Sequence, residues 1–362
     1  MHIGLVIGSN QRGGAERQVS LLAQGLQRRG FAVTVFFLFR PVLLQKEIDF
    51  GTVPCMYLWK TRYTQKPSLA YFSYLLKKLN ISLLHMFLLE SIEFGALAAQ
   101  RAGLKYAIGS MRSIEFLDDL TERTLLSTVC KFIPHITCNC RAIKDLMVKL
   151  DVCPADKITV INNGIITHDA HHIHIKNPDS DMFTILFVGM LKDIKNPLLF
   201  TKAALKVLAS YPKCRFIIAG DGPLRSDIEH LIQSSNWLHN FILLGNIPLE
   251  SIPYRDVDLL VSTSKSEGSS NVILEALSHG IPVVATAVGG TVEVLQGQPF
   301  GKLVQPGDIE GTAHAIKEFC LKQPDDLADI RKQAQSFISH HYSIDRMIDE
   351  HIAIYNHLLH HS

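Results

Sequence analysis

Several glycine-bearing stretches follow apolar runs, and each carries residue types suited to phosphate or sugar chemistry. The densest reads Ser264-Lys265-Ser266-Glu267-Gly268-Ser269-Ser270-Asn271-Val272-Ile273-Leu274-Glu275-Ala276. Gly268, Ser269 and Ser270 stand where a helix should begin, and the first turn of a helix exposes unpaired amides. Glu267 precedes that start and Glu275 follows it. If both lay on one helix, the rise would separate them by ~12 Å, beyond the ~5–5.5 Å or ~6.5–9.5 Å of a hydrolytic carboxylate pair. The arrangement suits instead two ends of one polar ligand, with phosphates held at the amides between them.

Four other loops join it. Gly189-Met190-Leu191-Lys192-Asp193-Ile194-Lys195-Asn196-Pro197 places two lysines at a helix start, a setting for a diphosphate. Val288-Gly289-Gly290-Thr291-Val292-Glu293 allows close backbone approach, with Glu293 either a helix-start carboxylate or a ligand contact. Gly220-Asp221-Gly222-Pro223-Leu224 marks a tight turn, structural or functional in equal measure. Gly13-Gly14-Ala15-Glu16 opens a first helix, whose N-terminus favours an anion. That last loop lacks the G-x-G-x-x-G spacing, and no acidic residue ends the next strand, which disfavours a nicotinamide cofactor. No Walker A sequence is present.

These loops need a scaffold that turns them one way. Apolar runs at 2–8, 31–39, 81–84, 106–109, 133–137 and 158–161 read as strands. So do those at 184–188, 216–219, 241–244, 259–261 and 282–285. Amphipathic stretches separate them, among them 15–29, with Gly30 as its cap, and Leu198 to Leu208. Strands alternating with helices predict parallel sheets covered on both faces. The fold class expected is α/β, with two doubly wound, Rossmann-like domains in series. At 362 residues the chain has the length of about two domains of ~150. The expected boundaries give an N-terminal domain over 1–165 and a linker over 166–182. A second domain over 183–343 and a final helix over 344–362 follow. The stretch Gly164 to Asp181, with four His and no helical or strand period, carries the linker assignment.

Composition sets limits. Apolar residues make up 47% and charged residues 19%, a globular balance. No run approaches ~18 uninterrupted apolar residues, so no spanning helix is expected. Met1-His2-Ile3-Gly4-Leu5-Val6-Ile7 reads as a first strand and not as a signal peptide. Seven cysteines without an export signal point to a reducing compartment and no disulfide framework. Cys138-Asn139-Cys140 is the one close pair and lacks a second pair at zinc spacing, so no metal is expected. Charge is uneven. Residues 1–175 hold 20 Lys and Arg against 13 Asp and Glu, a net +7. The remainder holds 16 against 21, a net −5. A basic N-terminal half suits an anionic partner such as a membrane face.

Taken together, the stretch Glu267 … Glu275 in an E-x(7)-E pattern, Gly280 to Thr286, Gly289-Gly290, Gly220 to Leu224, Val160 to Ile165 and Gly13-Gly14-Ala15-Glu16 resemble retaining glycosyltransferase family 4. That family belongs to the group 1 glycosyltransferases of the GT-B superfold. The resemblance covers nearly the whole chain and is densest from 183 to 310. It implies two Rossmann-like domains facing a cleft, the C-terminal one binding a nucleotide-sugar and the N-terminal one an acceptor. It further implies a final helix that crosses back to the N-terminal domain, and sugar transfer with retention and without metal or other cofactor.

By resemblance, Lys195 pairs with the donor diphosphate and Glu275 holds the ribose. Glu267, with the amides of Gly268 to Asn271, addresses sugar and phosphate. The expected donor-binding set is Gly14, Gly189, Lys192, Gly268, Ser269, Ser270, Asn271, Val272, Glu275 and Gly290. The expected catalytic set is Lys195, Glu267 and Arg112. Gly13, Glu16 and His85 are expected on the acceptor side; His85, which closes the strand 81–84, reads equally as such a contact or as a satisfied interior histidine. The family's usual arginine after the glycine at 189 is Met190 here, with Lys192 as its stand-in. Where many members carry a histidine this chain reads Gly109-Ser110-Met111-Arg112-Ser113, which brings in Arg112. Ser269 stands where a larger apolar residue is common.

Residues 56–88 mix Tyr57, Trp59, Lys60, Arg62, Tyr63, Lys66, Tyr71, Phe72, Tyr74, Lys77 and Lys78. They are either a surface for an anionic membrane face or an ordinary amphipathic helix. The expected donor is a UDP-sugar and the expected acceptor a lipid-linked or other saccharide of envelope polysaccharide synthesis. The expected location is the cytoplasm, with peripheral contact at the inner membrane face. The late histidines, His340, His341, His351, His357, His360 and His361, read as a solvated face. A nucleotide-sugar epimerase and a non-catalytic scaffold share the architecture; nucleic acid has no recognised motif in its favour.

Overall fold

A strand buried on both faces must be apolar along its whole length, and Phe183 to Val188 is such a strand: five of its six residues are buried. The computed structural model describes residues 1–10, 13–39, 48–58, 65–167 and 182–360. Trp59, Lys60, Arg62, Tyr63, most of the expected linker 166–182, and His361 lie outside the described residues.

The chain divides into two units, Met1–Gly164 with Ser343–Ser362, and Ile165–Tyr342. The first holds β1 (His2–Ile7), β2 (Ala32–Phe37), β3 (Cys55–Tyr57), β4 (Leu83–Phe87), β5 (Ala107–Met111), β6 (His135–Cys138) and β7 (Ile158–Val160). They form one parallel sheet in the order β3-β2-β1-β4-β5-β6-β7. The second holds β8 (Phe183–Val188), β9 (Cys214–Ala219), β10 (Phe241–Gly245), β11 (Leu259–Ser262), β12 (Val283–Thr286) and β13 (Gly301–Val304). Their order is β10-β9-β8-β11-β12-β13, again all parallel. Each sheet is doubly wound: its order reverses once, between β1 and β4 in the first and between β8 and β11 in the second.

Period-2 burial fills both faces of each sheet. In β8, Phe183, Ile185 and Phe187 face one core and Leu186 the other. In β1, Val6 faces one core and Ile3, Leu5 and Ile7 the other. β3 and β13 were not among the expected strands. They are three and four residues long and only part-buried, so neither presents the continuous apolar run that marks a central strand.

The helix Gln65–Lys78 turns Phe72, Leu75 and Leu76 into the core and leaves Tyr71 and Tyr74 exposed. The Phe72 ring packs on Phe36 and Phe94. No helix among the described residues is long and apolar enough to cross a membrane.

The last helix, Ile344–His360, belongs to the first unit and packs on the helix Gly14–Arg28. Gly25 permits the approach: a Cβ there would lie 2.1 Å from Ile348 Cδ1. Met347, Ile348, Tyr355 and Leu358 enter the core beneath.

Two expectations about histidines are corrected here. His85 does not close a strand; it sits in the middle of β4, fully buried, with Nδ1 2.7 Å from the Tyr355 hydroxyl and Nε2 3.4 Å from Thr137 Oγ1. The run Leu83–Phe87 is apolar on either side of it, so the strand continues through the imidazole. His351 is not on a solvated face; it is buried, and its Nδ1 lies 2.7 Å from the Met347 carbonyl. His340, His341 and His357 are exposed.

Burial, reinforced by His351 and Arg112, holds His85 well below its ordinary 6.5. Burial pulls His351 down to about 4 against its backbone hydrogen bond. Both imidazoles are therefore neutral in the fold and titrate near 6.5 once unfolded. Between pH 6.5 and about 4 the unfolded chain binds more protons, so stability rises with pH and falls as pH drops through that window. Denaturant melts should show the chain losing about 2 kcal/mol through His351 alone between pH 7 and pH 5. His351→Gln should flatten that slope; an unchanged slope would refute the assignment.

Candidate active site

In a doubly wound sheet, ligands sit beyond the carboxyl ends of the strands where the order reverses. In the second unit that place lies between β8 and β11. Lys195 leaves the loop after β8 and Glu267 the loop after β11, and they meet: Lys195 Nζ is 2.5 Å from Glu267 Oε1. The Ser264 hydroxyl donates to the same carboxylate oxygen at 2.7 Å.

The two loops are joined at four further points. Lys265 N donates to Ile194 O at 2.8 Å. Thr263 Oγ1 donates to Asn196 O and Lys195 O at 2.9 and 3.2 Å, and Lys265 pairs with Asp193 at 2.6 Å. Asn196 adopts the left-handed conformation, φ 49° and ψ 50°, and Pro197 then opens the helix Pro197–Ser210. The turn is what brings Lys195 back towards the strand end.

The helix after β11 begins at Asn271 and runs to Ser278. Glu267 therefore lies in the preceding loop and only Glu275 on the helix, one turn in, so the helical-rise argument does not apply to the pair. The cap residue Ser270 makes no side-chain cap hydrogen bond. Gly268 is bound through its carbonyl to the amide of Gly290, 2.8 Å away, which joins the glycine loops after β11 and β12. Gly289, at φ 48° and ψ −135°, makes the sharp entry into the helix Gly290–Leu295 that such a junction needs.

Glu275 is buried, and its Oε2 accepts from the Tyr254 hydroxyl at 3.0 Å. The Tyr254 ring stacks on His279 at 4.8 Å. Tyr254 sits in a short 3-10 turn ahead of β11, and nothing in its sequence surroundings marks it as a partner of Glu275.

Gly189 follows β8 and faces the aliphatic part of Lys195. Gly220 packs directly on that loop: a Cβ would lie 1.9 Å from Gly189 O, and its φ is +149°. The turn at 220–224 thus shapes the Gly189 loop, which is the structural of its two readings. Lys192 is half-buried and Met190 is exposed. The structure so brings Gly189, Lys195, Glu267, Gly268, Ser269, Ser270, Asn271, Val272, Glu275 and Gly290 to the carboxyl ends of β8, β11 and β12.

In the first unit, Gly13 and Gly14 open the helix after β1, and the Glu16 carboxylate folds back against Gly13. Burial raises the Glu16 carboxyl, opposed by its own backbone amide and by Arg112. Arg112 stands at the end of β5, hydrogen-bonded to Asn163 and 6.0 Å from the Phe87 ring centre. Burial lowers its guanidinium to about 10, so it stays charged at neutral pH. His85, placed on the acceptor side by the sequence reading, is a core residue held by Tyr355. Among the described residues no group of three His, Cys, Asp or Glu is placed to hold a metal ion.

Comparison with known proteins adds the lineage. Residues 12–169 match the model of Glycosyltransferase Family 4, and residues 182–321 that of Glycosyl transferases group 1. The GPI3 subunit of Saccharomyces cerevisiae phosphatidylinositol N-acetylglucosaminyltransferase is 27% identical over 269 residues, covering 70% of this chain and 57% of the yeast protein. The match thus spans little more than half the length of that relative. An Escherichia coli UDP-Gal:alpha-D-GlcNAc-diphosphoundecaprenol alpha-1,3-galactosyltransferase is 26% identical over 299 residues, covering 76% of this chain and 75% of that one. Among solved structures, Anabaena Alr3699/HepE in complex with UDP superposes with a TM-score of 0.82 at 19% identity, covering 98% of this chain and 100% of that one. A glycosyltransferase from Rickettsia africae also reaches 0.82, at 17% identity, covering 100% and 99%. The two parallel-sheet units are those of a GT-B fold. The chain belongs to the group 1 glycosyltransferases of family 4.

Proposed function

We propose that this protein transfers a sugar from a nucleotide-sugar, a UDP-sugar in the first instance, to a hydroxyl of a lipid-linked glycan. Transfer proceeds with retention at the anomeric carbon and without a metal ion. The observation that carries the reading is the Lys195–Glu267 pair across the reversal point of the second sheet, beside the N-terminus of the helix Asn271–Ser278.

The chemistry follows from where charge develops. The bond from C1 of the donor sugar to the diphosphate oxygen breaks, its electron pair stays on the phosphate, and the acceptor oxygen bonds to C1. Lys195 and the amides stabilise the charge on the departing diphosphate. The departing oxygen takes the acceptor proton on the face it leaves, so attack and departure share one face and configuration is retained. Glu267, already engaged by Lys195 and Ser264, orients the lysine and addresses the sugar. Glu275, fixed by Tyr254, holds the ribose.

Support for the donor comes from Alr3699/HepE, solved with UDP and with UDP-glucose. Support for a lipid-linked acceptor comes from the Escherichia coli relative, which acts on a sugar diphosphoundecaprenol. The basic N-terminal half suits such an anionic acceptor, and with it contact at the cytoplasmic face of a membrane.

A thermal-shift screen against UDP-, GDP- and ADP-sugars in EDTA should give stabilisation by one nucleotide series, the uridine one. No shift with any of them would sink the donor assignment in favour of a scaffold. Sugar epimerised without acceptor would show the rival enzyme class, and an inverted anomeric coupling in the product spectrum would refute retention.

Lys195→Ala should lower kcat by ~10²–10³-fold, as loss of a charge-stabilising donor does; near-normal turnover would move the role to Lys192. Tyr254→Phe removes one hydrogen bond to Glu275 and should raise the donor KM by roughly tenfold with kcat held. An unchanged KM would show that Glu275 does not bind the donor.

A further inference from the structure

The Lys195–Glu267 pair is also held from β12. Thr286 is the last residue of that strand, 1% exposed, and its hydroxyl donates to the carbonyl of Ser264 at 2.5 Å. Ser264 is itself buried and lies two residues past the end of β11, where the ladder with β12 has stopped at Ser262 and Ala285. A buried carbonyl in that position needs a donor from outside the ladder. The threonine side chain supplies it.

The same peptide group is held at its other end. The amide of Lys265 shares the peptide bond with the Ser264 carbonyl, and it donates to Ile194 O at 2.8 Å. One planar unit is therefore gripped by β12 on one side and by the lysine's loop on the other. Holding that plane sets the direction in which the Ser264 side chain leaves the backbone. Its hydroxyl lies 2.7 Å from Glu267 Oε1, the oxygen that Lys195 reaches at 2.5 Å. A chain of hydrogen bonds thus runs from the sheet through Thr286, Ser264 and Glu267 to the ammonium group.

The chain matters when the ammonium turns towards a departing diphosphate. Glu267 then gives up a partner, and a part-buried carboxylate left without a donor is costly. The serine hydroxyl lowers that cost only if it is already aimed at the carboxylate. We propose that Thr286 is a positioning residue for sugar transfer: by orienting the Ser264–Lys265 peptide it keeps the Ser264 hydroxyl on Glu267 and so frees Lys195 for the diphosphate. The proposal rests on the transferase reading above. Thr286 acts through Ser264 and not on the substrate.

Turnover is read as UDP released from UDP-glucose or UDP-galactose, with water as acceptor. Thr286→Val keeps the shape of the side chain and removes the hydroxyl. It should lower kcat by roughly tenfold and leave the donor KM within about twofold. Thr286→Ser keeps the hydroxyl and should hold kcat within about twofold of the unchanged protein. Ser264→Ala removes the bond to Glu267 directly. The double variant, Thr286→Val with Ser264→Ala, should therefore be slower than Ser264→Ala alone by no more than about twofold. Two losses that multiply would show that Thr286 does not act through Ser264 and would overturn the proposal. So would a loss in Thr286→Ser equal to that in Thr286→Val. Where Thr286→Val fails to fold, a normal kcat in Ser264→Ala overturns it alone.

Amide hydrogen exchange at Lys265 gives a reading that needs no turnover. Thr286→Val should speed it by roughly tenfold while the amides of β12 keep their rates. An unchanged rate at Lys265 overturns the relay. Normal turnover in both the unchanged protein and Thr286→Val removes the positioning role and leaves the transferase reading standing. An unchanged protein that no nucleotide-sugar stabilises and that releases no UDP removes the transferase reading, and exchange at Lys265 then decides the relay by itself.

Discussion

Every strand pair in both described sheets is parallel, and most of what the chain can do follows from that constraint. A parallel strand must be re-entered from the far end, so all strand-to-helix loops of a sheet emerge at one edge. In the second unit that edge collects lysine, glutamate, glycine and serine from stretches up to a hundred residues apart. Because the winding reverses once, the loops after β8 and β11 emerge side by side at that edge, and the Lys195–Glu267 pair joins them.

An ion pair in such a place is a reserve of charge and not chiefly a source of stability. Lys195 keeps 31% of its side chain exposed and Glu267 11%, so neither pays the full desolvation cost of a buried pair. In the proposed reaction a diphosphate, with more negative charge than one carboxylate, draws the ammonium towards itself, and Ser264 still donates to the glutamate. The firm part is the scaffold beneath: hydrogen bonds from Thr263 and Lys265 fix the lysine's loop through backbone atoms, so its side chain can change partners while its root stays put.

The sequence is legible where physics acts locally. Long apolar strands such as β8 and β9, the glycines at 268, 289 and 290, and the glutamates eight apart all declare themselves by type and spacing. Features set by distant partners do not. His85 reads equally as a strand-end ligand or an interior histidine until Tyr355, 270 residues on, is seen to hold it. His351 counts as one of a polar cluster by composition, yet the helix Ile344–His360 turns it inward. Tyr254 carries no local sign of its bond to Glu275. β3 and β13 are edge strands, short and part-exposed, and an edge strand needs no apolar run because it is covered on fewer sides.

The first unit separates two kinds of polar surface along one edge. Around Arg112, Asn163 and Glu16 the chain places a charged guanidinium against a carboxylate that burial would rather protonate, a setting whose charges an anionic group can rearrange. Around Asn10, Tyr57 and Asp49 the charge among the described residues is negative, and the Phe37 and Phe50 rings are packed into the core. The parallel sheet makes this possible: β1 contributes the loop carrying Asn10, Gly13, Gly14 and Glu16, so one short stretch takes part in both surfaces, while β3 and β5 lie on opposite sides of it. The spacing between the two surfaces is a quantity the sheet fixes through its ~4.8 Å strand separation, and no side chain can easily alter it.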